Sequence, residues 1–270
     1  MGKLFRIRRL ENTVSRGTGA QACQFLSDRG CVIPRGLNLD KYSLRPCGSP
    51  LTIRAGMLSE GKVRELLEPF EVELSSAQIG CLLTYLGLLT RWNQRINLTG
   101  IRNPEQCLTR HFGESLYLAR CVELKGKLLD IGSGAGFPGL ALKIAFPGLV
   151  ATLLEPVAKK RAFLKEVSRA CQMESVEVRA ERLEQLVRHQ PVPFFDAVTA
   201  RAVGHLDRLV PDALTCLKVG GRLCLWLSHG QAASLAETRS LVEWQPPIPL
   251  PLCRQREIWI GARLGASRDG

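Results

Sequence analysis

Asp130, Gly132, Gly134 and Gly136 close an apolar run, Leu128 to Ile131, with an acid followed by alternating glycines. Glycines after a strand let the chain turn tightly into a helix, and they let backbone N–H groups reach a ligand without interference from Cβ atoms. That is nucleotide-site machinery. A dinucleotide fingerprint, G-x-G-x-x-G, requires a third glycine where Phe137 stands, which disfavours a nicotinamide site. A second acid, Glu155 in Leu153-Leu-Glu155, follows the next apolar run. At about 20 residues past the glycines, an acid can accept from both hydroxyls of a ribose.

The spacing Asp130-x-Gly132-x-Gly134-x-Gly136 resembles the acid-first glycine turn of class I S-adenosylmethionine methyltransferases. In that setting the first acid accepts from the methionine ammonium or orders the turn, and both readings stay open.

The elements that must position these residues follow from periodicity. Leu58, Val63, Leu66, Leu67 and Phe70, then Ile79, Leu82, Leu83, Leu86, Leu89 and Trp92, recur at spacings of three and four, which predicts two amphipathic helices. The second is expected from Ser75-Ser76 to Ile96, and a third from Asn103-Pro104 to Val122, carrying Arg110, His111, Glu114 and Ser115 in mid-helix. Strands are expected at Lys127–Ile131, Val150–Leu154, Ser175–Arg179, Ala197–Arg201, Arg222–Leu227 and Arg256–Ala262. Helices are expected between the first five, centred on Leu140–Ala145, Lys160–Cys171, Leu183–His189 and Leu206–Leu217. Repeated βα units imply a parallel sheet with helices on both faces. Gln231 to Leu241 reads as another helix, and Pro246 to Pro251 as an extended connection that is not a strand interior.

The expected organisation is therefore α/β: a helical subdomain over residues 57–122, and over 123–270 a Rossmann-like domain that holds the cofactor. Residues 1–56 hold ten Lys/Arg against three acids, +7 of the net +12, without sustained periodicity, and are expected to be a disordered basic leader. Three readings compete for it: an arm that helps hold nucleic acid, an organellar transit-like segment, or a translated leader before a start at Met57.

The charge favours an anionic partner such as nucleic acid, without naming one. Ten scattered cysteines contain no C-x-x-C pair and read as thiols in a reducing compartment. The four histidines stand at no metal-ligand spacing, so no metal is expected. No apolar run reaches the length of a membrane span, and the first residues lack the apolar core of a secretory signal, so a cytoplasmic location is expected.

A more specific resemblance rests on several segments together. Leu129 to Gly139, Leu154-Glu155 with Lys159-Lys160-Arg161 and Phe163-Leu164, Glu181 to Gln185, and Asp196 to Arg201 resemble the bacterial small-subunit rRNA guanine-N7 methyltransferase family, known as RsmG or GidB. Arg91-Trp-Asn93, Asn97-Leu-Thr99 and Arg110 to Ser115 are similar to that family's helical leader. The resemblance covers Met57 onward and implies methylation of guanine N7 in the 530 loop of 16S rRNA, on free RNA or the 30S particle, by a monomer. Carried over by motif, Gly132 and Phe137 bound the cofactor turn, Leu183 and Glu184 contact its adenine side, and Arg201 matches the arginine after the fourth strand. Arg201 is read as a positioner of guanine, RNA phosphate or the cofactor carboxylate. Arg110, His111, Lys159, Lys160 and Arg161 are the RNA-contact candidates. Glu114 and Glu155 depart from a pattern that often has Asp, and Glu181-Arg-Leu-Glu184 from one that often has Gly-Arg-Ala-Glu. Guanine N7 carries a lone pair and no proton, so no general base is expected. The alternatives are a class I methyltransferase with a protein or small-molecule substrate, and a non-catalytic RNA-binding assembly factor on the same fold.

Overall fold

The computed structural model describes residues 58–189, 193–238 and 240–265; the leader expected over 1–56 lies outside them. α1 (Glu60–Leu67) begins at Ser59, whose hydroxyl accepts from the Lys62 N–H, and it buries Val63 and Leu67. A 3₁₀ turn (Glu68–Phe70) leads to α2 (Ser76–Asn93), which opens on a reciprocal cap between Ser75 and Gln78. α2 stops short of the expected Ile96 because Asn93 serves the next loop. Its Oδ1 accepts from the Leu98 and Thr99 N–H groups, and its Nδ2 donates to the Thr99 carbonyl.

The third helix is built of three consecutive pieces: α3 (Pro104–Cys107), a π-helical segment (Leu108–Gly113) and α4 (Glu114–Cys121). Gly113 lies where this helix crosses Phe70, and a Cβ there would sit 2.4 Å from the ring. Only glycine permits that approach.

β1 (Lys127–Ile131), α5 (Gly139–Ala145), β2 (Val150–Leu154), α6 (Ala158–Ala170), β3 (Val176–Arg179), α7 (Leu183–His189), β4 (Phe195–Arg201), α8 (Leu206–Cys216) and β5 (Leu217–Ser228) alternate as expected. α9 (His229–Ala232), a 3₁₀ stretch (Ala233–Thr238), β6 (Val242–Trp244), β7 (Ile248–Pro249) and β8 (Arg256–Arg263) complete the described chain. The sheet order is β3-β2-β1-β4-β5-β8-β6, with β7 also on β8. The first five strands run parallel, while β8 runs antiparallel to both β5 and β6, so the sheet is mixed.

Two late segments differ from the sequence reading. The helix expected over Gln231–Leu241 is one helical turn followed by 3₁₀ structure. Thr238 shares the cause: its hydroxyl donates to the Leu235 carbonyl and accepts from Trp244 Nε1, which diverts the backbone from helix to strand. Within the proline-rich connection, Ile248 and Pro249 pair with β8 at its margin, where a missing N–H is tolerated.

β1 lies between β2 and β4, with Ile131 opposite both Leu154 and Ala200. This register brings Asp130, Glu155 and Arg201 to the carboxyl ends of three adjacent strands, where open α/β sheets bind ligands. The leader helices share one core with α5 and α6, in which Leu82, Tyr85, Phe112, Leu140, Phe163 and Leu164 meet. Trp92 adds a polar tie from α2 to α6, its Nε1 donating to Glu166 at 2.8 Å. Tyr85 is fully buried, and its hydroxyl donates to the Ala135 carbonyl in the glycine turn. Tyr85→Phe leaves that carbonyl unsatisfied, so urea denaturation should show a loss of about 1–3 kcal/mol. An unchanged midpoint would mean that the turn relaxes without its brace.

Candidate active site

Gly132, Gly134 and Gly136 have φ of +65, +55 and +91°, left-handed values that other residues rarely adopt. The environments of the first and last differ. A Cβ on Gly132 would meet open space, whereas one on Gly136 would lie 2.2 Å from the Tyr85 hydroxyl oxygen. Gly132 therefore faces a cleft while Gly136 faces packed protein. The cleft, of about 270 Å³, is lined by Ile131, Gly132, Pro156, Leu183, Glu184 and His205 among others.

Glu155 knits the ends of β1 and β2 together. Its Oε2 accepts from the Gly134 N–H at 2.9 Å and its Oε1 from the Val157 N–H at 2.8 Å. Each oxygen keeps a further lone pair. Asp130 is fully buried beneath the turn: Oδ1 accepts from the Thr199 hydroxyl at 2.7 Å, and Oδ2 has no hydrogen-bond partner. Burial pushes its pKa up to about 6 against the opposing pulls of Ser133, Thr199 and the Gly139 backbone. Gly139 lies so close that a Cβ would sit 2.6 Å from Oδ2.

Arg201 does not line that cleft. Its two terminal nitrogens donate to the Arg110 and His111 carbonyls, to Ser115 Oγ and to Glu114 Oε2. Two of these acceptors are carbonyls of the π-helical segment, where a widened turn leaves them available. Glu114, with no exposed side-chain surface, also takes Arg110 at 3.0 Å and Arg256 at 2.8 Å. Burial raises its pKa, and Arg201, Arg256 and Arg110 pull it back down. Burial lowers Arg201 itself to about 10. The expectation that Arg201 touches guanine, phosphate or cofactor thus meets a guanidinium already engaged in holding the leader to β4.

His111 was expected among the RNA contacts, and its surroundings argue against a phosphate-binding charge. Burial and then Arg201, Arg256 and Arg110 push its pKa down to about 3. The ring is neutral, bonded to Thr99 Oγ1 at 2.6 Å and stacked on Phe137 at 5.0 Å. Phe137 stacks on its other neighbour, Tyr85, at 5.3 Å and meets Phe112 edge-on at 4.9 Å. Of the remaining candidates, Arg161 spends its Nη1 on the Glu155 and Pro156 carbonyls. Lys159 is exposed, Lys160 is half-buried, and Arg110 reaches solvent despite its bond to Glu114. Leu183 is buried in the cleft wall and Glu184 is exposed on it.

Sequence reasoning missed Tyr85, Thr199 and Arg256. Thr199 alone left a signal, a hydroxyl inside the otherwise apolar run Ala197 to Ala200. Arg256 is separated from Glu114 by most of the domain, and nothing local marks it.

A glycine turn after the central strand, an acid closing the next strand and a cleft over the strand ends define a class I, S-adenosylmethionine-dependent methyltransferase. The profile of the GidB family, rRNA small subunit methyltransferase G, matches residues 78–247. The chain belongs to that family. It is 39% identical over 195 residues to ribosomal RNA small subunit methyltransferase G of Sorangium cellulosum, covering 71% of this chain and 79% of that one. The protein of the same name from Syntrophotalea carbinolica is 37% identical, over 66% of this chain and 82% of its own. That from Chloroflexus aggregans is 45% identical, over 56% of this chain and 65% of its own length. Among solved structures, a ribosomal protein L11 methylase from Lactobacillus delbrueckii subsp. bulgaricus superposes with a TM-score of 0.49 at 12% identity, covering 62% of this chain and 81% of that one. That likeness carries no functional argument.

Removing the carboxylate of Glu114 leaves buried guanidinium charge uncompensated, so Glu114→Ala should cost about 3–5 kcal/mol in denaturant unfolding. A cost near zero would show that water replaces it. His111 supplies a pH test. Its folded pKa of about 3 lies below the ordinary 6.5, so its contribution is complete above about 6.5 and is lost as pH falls toward 3. Stability should decline over that window by up to about 1.4 kcal/mol per pH unit, and His111→Asn should flatten that part of the profile.

Proposed function

We propose that this chain methylates N7 of a guanine in the 530 loop of 16S rRNA, with S-adenosylmethionine as donor. The observation that carries the reading is the cleft beside Gly132, walled by the residues that follow Asp130 and flank Glu155 (Ile131, Gly132, Leu154 and Pro156), in a chain of the rRNA small subunit methyltransferase G family. The residues fit the cofactor's groups. Asp130 Oδ2 is a buried acceptor without a partner, suited to an ammonium. Glu155 has lone pairs left for ribose hydroxyls, the open side of Gly132 allows close backbone approach, and Leu183 and Glu184 form the wall for adenine.

Bound S-adenosylmethionine supplies a methyl group activated by its sulfonium. Guanine N7 presents a lone pair and no proton, so the chain is asked for alignment and exclusion of water, and proximity alone is worth about 7–11 kcal/mol. The neutral His111, stacked on Phe137 on the packed side of the turn, supports the turn and is not poised for proton transfer. Arg201 acts in this reading as a positioning residue, fixing the π-helical segment that presents Arg110. Arg110, Lys159 and Lys160 serve as phosphate contacts that hold the RNA. The substrate, free 16S rRNA or the 30S particle, and the thiol-rich composition both suit the cytoplasm.

Incubation of the purified protein with 16S rRNA or 30S particles and S-adenosylmethionine, followed by aniline-cleavage mapping, should reveal a new N7-methylated guanine in the 530 loop. Cofactor-dependent labelling of a protein, with unmodified RNA, would overturn the rRNA assignment. Lys159→Glu combined with Lys160→Glu should raise KM for RNA severalfold and steepen no cofactor dependence. Calorimetry tests the Asp130 role separately. Its folded pKa of about 6 means that the carboxylate is lost as pH falls through 6, so cofactor affinity should weaken there. Asp130→Asn should bind at least about tenfold more weakly with a flatter pH profile, since tenfold is only 1.4 kcal/mol.

A further inference from the structure

Cys81 on α2 and Cys171, the residue capping α6, meet across the seam between the leader helices and the sheet's covering helix. Both are half-buried free thiols, and Cys171 Sγ donates to the Cys81 carbonyl at 3.3 Å. The neighbouring Cys171 thiol holds the Cys81 pKa below the ordinary thiol value, against burial, while Cys81 and burial raise that of Cys171. Together with Gln78, Lys143, Met173 and Glu174 they line an open hollow of about 290 Å³, wide enough for a small oxidant. Among the other described cysteines, Cys107, Cys216 and Cys224 are buried with thiols pushed up chiefly by burial, Cys121 Sγ donates to the Tyr117 carbonyl of its own helix, and Cys253 is held low against burial by Gln255 and Arg256, not by another thiol.

We infer that Cys81 and Cys171 form a reversible disulfide site that joins α2 to the end of α6. With a peroxide as oxidant, the Cys81 thiolate attacks one peroxide oxygen, the O–O bond breaks, and hydroxide leaves to give a sulfenic acid. The Cys171 sulfur then displaces the sulfenic hydroxyl. The S–S bond forms, the Cys171 proton goes to water, and two thiols plus one hydrogen peroxide yield one disulfide plus two waters. Cys81 lies one helical turn before Tyr85, whose hydroxyl braces the glycine turn, so the bond tethers the element that supports the candidate cofactor loop. It also closes a long loop of chain, which favours a large restriction of the unfolded state. Neither cysteine lines the cleft beside Gly132, and the site does not depend on the proposed RNA substrate.

The full chain treated with hydrogen peroxide near neutral pH should yield, on peptide mapping without reductant, a cross-linked peptide containing Cys81 and Cys171, lighter by two hydrogens than its reduced parts. Its Tm should rise by several degrees, and dithiothreitol should reverse both changes. Cys81→Ser and Cys171→Ser, conservative at half-buried positions, should each abolish the cross-link and the Tm rise. The inference is overturned if both thiols stay alkylatable after peroxide, if either pairs with a different cysteine, or if Cys81→Ser shows the same Tm rise.

Discussion

One buried carboxylate joins the helical leader to the sheet. Glu114 receives Arg110 from its own helix, Arg201 from β4 and Arg256 from β8, while its backbone carbonyl accepts from Trp226 Nε1 on β5. Withdrawing a carboxylate from water costs several kcal/mol even after relaxation, so the arrangement persists only with its partners in place. Three guanidiniums around one carboxylate also leave excess positive charge, and Arg110 carries part of it to the surface. The strut thus shares Arg110 with the basic surface.

The second constraint is aromatic. Phe137, standing where a dinucleotide fold would keep a third glycine, is sandwiched between Tyr85 and His111. The Tyr85 hydroxyl occupies the space that Gly136 leaves free and donates to the Ala135 carbonyl. The glycine turn therefore has one face packed by the leader and the other open to the cleft. His111 belongs to the packed side, and its low pKa follows from that position beside three arginines. A charged imidazole there would face both desolvation and repulsion.

Much of this was legible in the sequence, and the reasons for success and failure differ by element. β1, β2 and α7 matched their expected bounds because apolar runs bounded by glycine, proline or charged residues mark strands and helices locally. The acid-first glycine turn was legible because glycine is demanded by backbone geometry, which the φ values of Gly132, Gly134 and Gly136 bear out. The π-helical segment was not, since a single widened turn hardly alters the spacing of apolar residues across it. The β5 strand begins earlier than the expected Arg222, at Leu217, because the chain stays extended through Gly220 and Gly221, past a register shift between Phe195 and Ala197. Arg201 and Glu114 were visible as individual charges, but their pairing was not. Nothing in the spacing shows that residues this far apart will share one buried site.

Charge resolves the remaining question only in part. Residues 1–56 carry +7 of the net +12, which leaves +5 for residues 57–270. Much of that is spent inside the fold: Arg201 and Arg256 on Glu114, Arg161 on carbonyls, Lys143 on the carbonyl of Pro147. In the cleft wall Arg182 and Arg208 are offset by Glu181, Glu184 and Asp212, and phosphate contacts position RNA without reading its sequence. In the proposed reading, selection of one guanine must then rest on the shape of the folded RNA against the surface that carries Arg110, Lys159 and Lys160. The stack of Tyr85, Phe137 and His111 fixes the helices that carry Arg110 relative to the glycine turn, so that in this reading a small shift in them would be felt as a misplaced methyl group.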